Sequence, residues 1–283
     1  MKLSLLWSSS YRYGERSWGF VGRVLESPCI TKQIWAIGQM SVIISCETGG
    51  DRIPDWLSLS PGVERDAGIL PLHKTDGPAR YAATRMAAKL NERILLNEYS
   101  AGLVDVTRSI RHRSVFPVSA KKIQEHERKR LIEEVHVPYR ERLKQAIADQ
   151  IDEQGYSIHL SVRSFSLRKN GKLQRTDVGL LYDPAREDEV DFCLDWIDEM
   201  YADVPMVRVR RNYPRRGTVE SIHTAMRTVF ADHAYLGIEV LLNRAWAARE
   251  VYRRDEAIDG IARSLCVLLD DETETDAIAY NVA

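Results

Sequence analysis

From residue 41 onward, strand-like and helix-like patterns alternate along the chain, and that alternation restricts it to an α/β architecture. The clearest strand is Tyr156 to Phe165, YSIHLSVRSF, where apolar and polar residues alternate with period two. Tyr235 to Leu242, YLGIEVLL, is mostly apolar and reads as a central strand covered on both faces. Ser41–Cys46, Leu103–Val106, Val178–Tyr182 and Met206–Arg210 read as further strands. Between them, Asp76-Gly77-Pro78 marks a helix start, with Asp76 as N-cap and Pro78 in the first turn. Ala79, Ala82, Ala83, Met86, Leu90 and Ile94 follow at three- and four-residue spacing. Helical patterns also cover 119–153 (Ser119 as cap, Pro138 as break or kink), 187–202, 218–230 and about 243–269. Asn170-Gly171 marks a turn. The expected fold is a three-layer α/β sandwich around a mostly parallel sheet.

The chain divides into an extension over 1–39, a domain over 40–270 and an acidic tail over 271–283. The extension holds Trp7, Trp18 and Trp35 without a helical or strand period, so it reads as loosely ordered or as a start assigned too early, with Met40 as the true start. An amphipathic arm packed on the domain is the alternative. With 40 Lys+Arg against 41 Asp+Glu, the net charge of −1 gives no global attraction to nucleic acid or to an anionic membrane. No apolar run approaches the roughly 20 residues that span a bilayer. The first residues lack the apolar core of a signal peptide. Cys29, Cys46, Cys193 and Cys266 are far apart and show no CxxC spacing, which argues against a zinc knuckle or a disulfide framework. Reduced thiols and a cytoplasmic location are expected.

In an open sheet of this kind, ligands gather at the carboxyl ends of the strands. The polar residues expected there are Glu47, Thr48 and Asp51 in the corner SCETGGDRIP, Arg108 after 103–106, Arg163 near the end of 156–165, Glu239 on the last strand and Arg216 in the loop NYPRRGT. Glu47 and Asp51 are either turn-capping acids or ligands. His159 shares a strand face with Ser161 and Arg163 and is either a hydrogen-bonded core histidine or a ligand. Arg108 is either a structural ion pair or a clamp for a substrate carboxylate. Glu239 sits on an apolar strand, where an unpaired carboxylate is costly, and that favours a role in the site. The remaining histidines at 112, 126, 136, 223 and 233 lie in charged or helical surroundings and read as surface residues.

Eight segments in order, SCETGGDRIP, LHKTDGPARYAATRMAAKL, VDVTRS, VPYRERL, IHLSVRSF, TDVGLLYDPAR, NYPRRGT and YLGIEVLLN, make the chain resemble the N-formylglutamate amidohydrolase family from about Met40 to about Ala262. The resemblance implies a zinc-carboxypeptidase-like (phosphorylase/hydrolase-like) fold and metal-dependent hydrolysis of the amide of a small acidic N-acyl amino acid. It implies metal ligands from the first-strand corner and from a strand histidine, with Glu239 as catalytic base. It implies substrate arginines at Arg108, Arg140 and Arg216, and a His…Asp segment at His73 and Asp76.

Two positions depart from the family pattern. The family's Ser-Cys-Glu-His-Gly-Gly corner has Thr48 in place of its histidine, and its later strand has Arg163 in place of a second histidine, although His159 stands. A neutral threonine hydroxyl is a poor zinc ligand, and a guanidinium has no lone pair to give. Zinc is therefore expected in the family and absent here, unless Glu47, Asp51, His73, Asp76 or His159 rebuilds a site. The alternative to the hydrolase is a degenerate, metal-free homologue that binds a small anionic ligand. In it, Arg163 would turn inward and bridge Glu47 and Glu239 in place of the metal's charge.

Overall fold

The computed structural model describes residues 41–57, 75–118, 120 and 123–279. His73, Ser119 and the 1–39 extension with Met40 lie outside the described residues.

Six strands form one sheet in the order β2-β1-β3-β8-β6-β7. They are β1 (Val42–Cys46), β2 (Ile94–Leu96), β3 (Ser157–Phe165), β6 (Val178–Leu181), β7 (Val209–Arg211) and β8 (Tyr235–Asn243). A small hairpin, β4 (Arg168–Lys169) and β5 (Lys172–Leu173), turns through Asn170 and Gly171, both at positive φ. β2, β1, β3 and β8 run parallel; β6 pairs antiparallel with β8 and parallel with β7. β8 lies inside the sheet, as its apolar run implies.

Helices cover both faces. α1 (Gly77–Leu90), α4 (Glu187–Asp203) and α6 (Val251–Ala279) pack with one face. The other carries α2 (Glu125–Leu131), a π-helical turn Ile132–His136, α3 (Val137–Gln154) and α5 (Ile222–Arg227). Strand pleating then sorts the residues. Val42, Ile44 and Cys46 of β1, Ile158, Leu160 and Val162 of β3, and Leu236, Ile238 and Val240 of β8 join the first core. Their odd-numbered neighbours, Ser45, Glu47, His159, Ser161, Arg163, Gly237 and Glu239, face the other way. The period-two pattern of β3 therefore separates an apolar face from a polar one, and the polar face carries the candidate site. Among the described residues, no helix is long and apolar enough to cross a membrane.

Several boundaries differ from the sequence reading. α1 ends at Leu90, where Asn91 adopts the left-handed conformation (φ 56) and donates its N–H to Ala87 O. Ile94 continues the helical spacing but belongs to β2. Leu103, Val104 and Val106 are buried in the second core, yet they lie in turns and irregular backbone, because no strand among the described residues pairs with them. Pro138 does not break the helical segment. It enters the first turn of α3, directly after the π-helical turn, where its missing N–H is tolerated. After β8 a 3-10 turn (Arg244–Ala248) precedes α6, whose backbone stays helical through the acidic residues to Ala279.

Candidate ligand-binding site

The corner after β1 is held from below by a polar cage. Glu47 is buried, and its Oε1 accepts from Ser45 Oγ at 2.5 Å and from Tyr139 OH at 3.3 Å. Its Oε2 accepts from Ser161 Oγ at 2.5 Å. Both carboxylate oxygens are thus occupied by hydroxyls of the protein. Gly50 follows because an added Cβ there would collide with the backbone of Asn97 and Glu98. Thr48 Oγ1 donates to Asp76 Oδ2 at 3.4 Å, and the Thr48 carbonyl accepts from the Asp76 N–H at 2.7 Å. Asp76 caps α1 and also accepts from Ser164 Oγ (2.5 Å) and Ser164 N (3.0 Å), which ties the corner to the end of β3. Asp51 is exposed and outside the cleft described below.

A buried relay runs sideways from Glu47. Ser45 gives its hydroxyl proton to Glu47, so His159 Nε2 donates to Ser45 Oγ at 2.7 Å. His159 Nδ1 then accepts from Tyr235 OH at 2.9 Å, and the Tyr235 oxygen accepts from His223 Nδ1 at 2.8 Å. The two imidazoles lie 4.5 Å apart. Burial, with Arg227 nearby, pushes His159 down to about 3. Burial, then His159 and the arginines at 227, 215 and 163, holds His223 well below the usual histidine range. His159 is neutral in this donor order, because its Nδ1 must accept, and the lowered pKa of His223 favours its neutral form too. His159 has both nitrogens engaged inside the protein. His223 and His136, read from the sequence as surface residues, are buried. His223 fits because position 237 is glycine: an added Cβ would stand 2.7 Å from His223 Nδ1.

Glu239 is buried one register step along, opposite Ser161. Arg215 Nη2 donates to its Oε2, and Arg163 Nη1 stands 3.8 Å from the same oxygen, an ion pair without a hydrogen bond. Arg163 therefore turns inward toward Glu239, and it does not bond to Glu47. Burial works against the Arg163 charge, but Glu239, Asp105, Glu47 and Asp76 outweigh it and raise its pKa. Arg215 is pushed down by burial, against the pull of Glu239. The loop NYPRRGT thus delivers Arg215 to the site, while the expected Arg216 is exposed. Arg108 donates to the Glu220 carbonyl at 2.5 Å and pairs with Asp105 at 3.8 Å. Arg140 donates to the Val106 carbonyl at 3.0 Å. Both brace the segment around residues 105–109.

Above these groups lies a cleft of about 710 Å³. Its charged lining is Asp76, Asp105, Arg113, Arg163 and Arg244, beside Thr48. Arg113 makes no hydrogen bond or ion pair among the described residues, whereas Arg244 donates to Ser164 Oγ at 2.8 Å. Three guanidiniums against two carboxylates suit an anion. Arg113, Arg215 and Arg244 were not expected from the sequence. Arg244 directly follows a central strand at its carboxyl end, a signal that could have marked it.

The N-formylglutamate amidohydrolase family model matches residues 40–254. The chain belongs to that family. In structure it is similar to a gene product of Agrobacterium tumefaciens, with TM-score 0.61, 20% identity, and coverage of 86% of this chain and 94% of the other. It is also similar to an N-formylglutamate amidohydrolase from Ralstonia eutropha, with TM-score 0.53, 15% identity, and coverage of 85% and 96%. Both likenesses concern the fold. A search of curated protein sequences returns no significant match.

Amidohydrolases of this kind are expected to hold zinc, and the described residues of the site do not fit it. Among the described residues, no three His, Cys, Asp or Glu side chains come together as a metal would need. Thr48 is turned to Asp76, both Glu47 oxygens are taken by hydroxyls, and Arg163 brings a cation to the centre.

Proposed function

We propose that this member of the N-formylglutamate amidohydrolase family binds a small acidic N-acyl amino acid, or a similar small anion, without zinc. The observation that carries this reading is Arg163, which lines the cleft and stands 3.8 Å from buried Glu239, at a position where the family resemblance implies a metal-binding histidine. A guanidinium there supplies positive charge without coordination. Arg113 and Arg244 offer carboxylate partners at the cleft wall, while Arg108 and Arg140 act by bracing that wall. Glu47, Thr48 and Asp76 hold the corner in shape. The partner in this reading is a small molecule rather than nucleic acid or a membrane, and the location is the cytoplasm.

A second reading keeps hydrolysis, with Glu239 as base, and is favoured by the family membership. Calorimetric titration with N-formyl-L-glutamate in the presence of a chelator, beside an assay for released formate, separates the two. Binding that survives the chelator without turnover supports the first reading. Chelator-sensitive turnover supports the second. Absence of binding by N-formyl-, N-acetyl- and N-succinyl-glutamate alike sinks both.

A further inference from the structure

The cleft has two unlike sides. Where β1, β3 and β8 end and α1 begins, its lining is Thr48, Thr75, Asp76, Arg163, Ser164 and Arg244, every one of them polar. The other side comes from the segment 101–118, which brings all of the apolar lining among the described residues: Ala101, Phe116, Pro117 and Val118. Arg113 lines the cleft three residues before Phe116, so this segment passes from charged to apolar along its length. The strip Phe116–Val118 is held from behind. Val115 is buried in the second core, and its carbonyl accepts from the Asp105 N–H at 2.8 Å. The Pro117 carbonyl accepts from the Ala120 N–H at 2.9 Å. The Phe116 ring packs against the same core, and the Arg128 guanidinium lies 5.7 Å from its centre. Val118 is left 62% exposed.

We infer that Phe116, Pro117 and Val118 form the subsite for the ligand's acyl group, and that this group is apolar and larger than formyl: an aromatic or branched acyl chain of several carbons. A formyl group ends at its single carbon and has almost no apolar surface to lay on the strip. An apolar acyl chain covers it, and the gain grows with the area that both surfaces withdraw from water. The size of the cleft agrees. Pockets of roughly 300–1,000 Å³ take ligands of drug size, and about 710 Å³ leaves room for much more than a formylated amino acid. The ligand's carboxylates are then held by Arg163 and Arg244 at the strand ends, with Arg113 at the charged end of the segment, and its acyl chain lies along the strip. The acyl subsite rests on the reading of the cleft as a site for acidic N-acyl amino acids, and it adds which acyl groups that site prefers.

The test is calorimetric titration of the intact protein with N-acetyl-L-glutamate and with N-phenylacetyl-L-glutamate, which differ only by a phenyl ring on the acyl group. The phenylacetyl compound is expected to bind about tenfold more tightly or better, because its ring and the strip leave water together. Phe116→Ala should bring the ratio of the two affinities toward one, with circular dichroism checking that the variant is folded. Val118→Ser, at an exposed position where the fold is not at risk, should lower the same ratio by a smaller factor. A ratio unchanged in the folded variants overturns the assignment of the strip. Equal or weaker binding of the phenylacetyl compound by the unaltered protein overturns the apolar subsite while the acidic-ligand reading stands. Failure of both compounds to bind overturns that reading, and the subsite with it.

Discussion

Two buried carboxylates with arginine partners flank β8, and they are completed very differently. Glu189, on α4, receives Arg227 through both oxygens at 2.8 and 2.7 Å, and also the backbone N–H groups of Gly237 (3.1 Å) and Asp183 (2.8 Å). Nothing is left for a ligand to do there. Glu239, on β8 itself, has one oxygen claimed by Arg215 and approached by Arg163, while its other oxygen has no partner among the described residues. The Arg227 side chain is 7% exposed, against 26% for Arg215 and 22% for Arg163. A closed ion pair fixes the architecture; an open one beside a cleft has the form of a site. Burial and charge alone do not separate the two cases, but the count of completed hydrogen bonds does.

The sharpest way to break this comparison is to remove one arginine from each pair. Arg227→Ala leaves Glu189 buried and uncompensated, and denaturant unfolding should show a loss of about 3–5 kcal/mol. Arg215→Ala, at the more exposed and singly bonded pair, should cost about 1–2 kcal/mol. Equal losses would remove the distinction between closed and open.

Between these two effects lies the response to pH of the neutral relay beside the open pair. His159 and His223 have folded pKa values below the ordinary value of 6.5, so protons bind preferentially to the unfolded chain. Their stabilisation is complete above about pH 6.5 and is lost as pH falls toward 3 for His159. Urea unfolding at pH 5.5 should show a stability about 3 kcal/mol lower than at pH 7.5 from the two rings together. A flat profile would place charged or solvent-linked imidazoles there. The smallest stability effect is expected from Arg163→Gln, under about 0.5 kcal/mol, because its ion pair is long and partly exposed. The same change should weaken N-formyl-L-glutamate binding about tenfold, measured by calorimetry.

The fold was largely legible because pleating and helix periodicity write themselves into residue order. The strict alternation from Tyr156 to Phe165 marks β3, and Asp76-Gly77-Pro78 marks the start of α1. Ile94 misled because β2 begins where a continued helix would still place an apolar residue, and only the left-handed Asn91 ends α1. Leu103–Val106 misled because an apolar run reports burial, and strand formation also needs a partner. Within the site, Glu239 was visible as an acid on an apolar strand. Arg215 and Arg216 are adjacent in a loop, and local pattern cannot tell which one turns inward. The Glu189–Arg227 pair joins residues 38 positions apart, and burial of His223 depends on the space over Gly237. Those contacts are made by the assembled sheet, so no local signal carries them.

The central claim is that guanidinium charge occupies the place where a metal would sit, and the metal content of the purified protein tests it most directly. Inductively coupled plasma mass spectrometry after zinc loading and gel filtration should find no stoichiometric zinc in the unaltered chain, and about one zinc per chain in the folded double variant Thr48→His, Arg163→His. One retained zinc per unaltered chain, released by a chelator, would contradict the account.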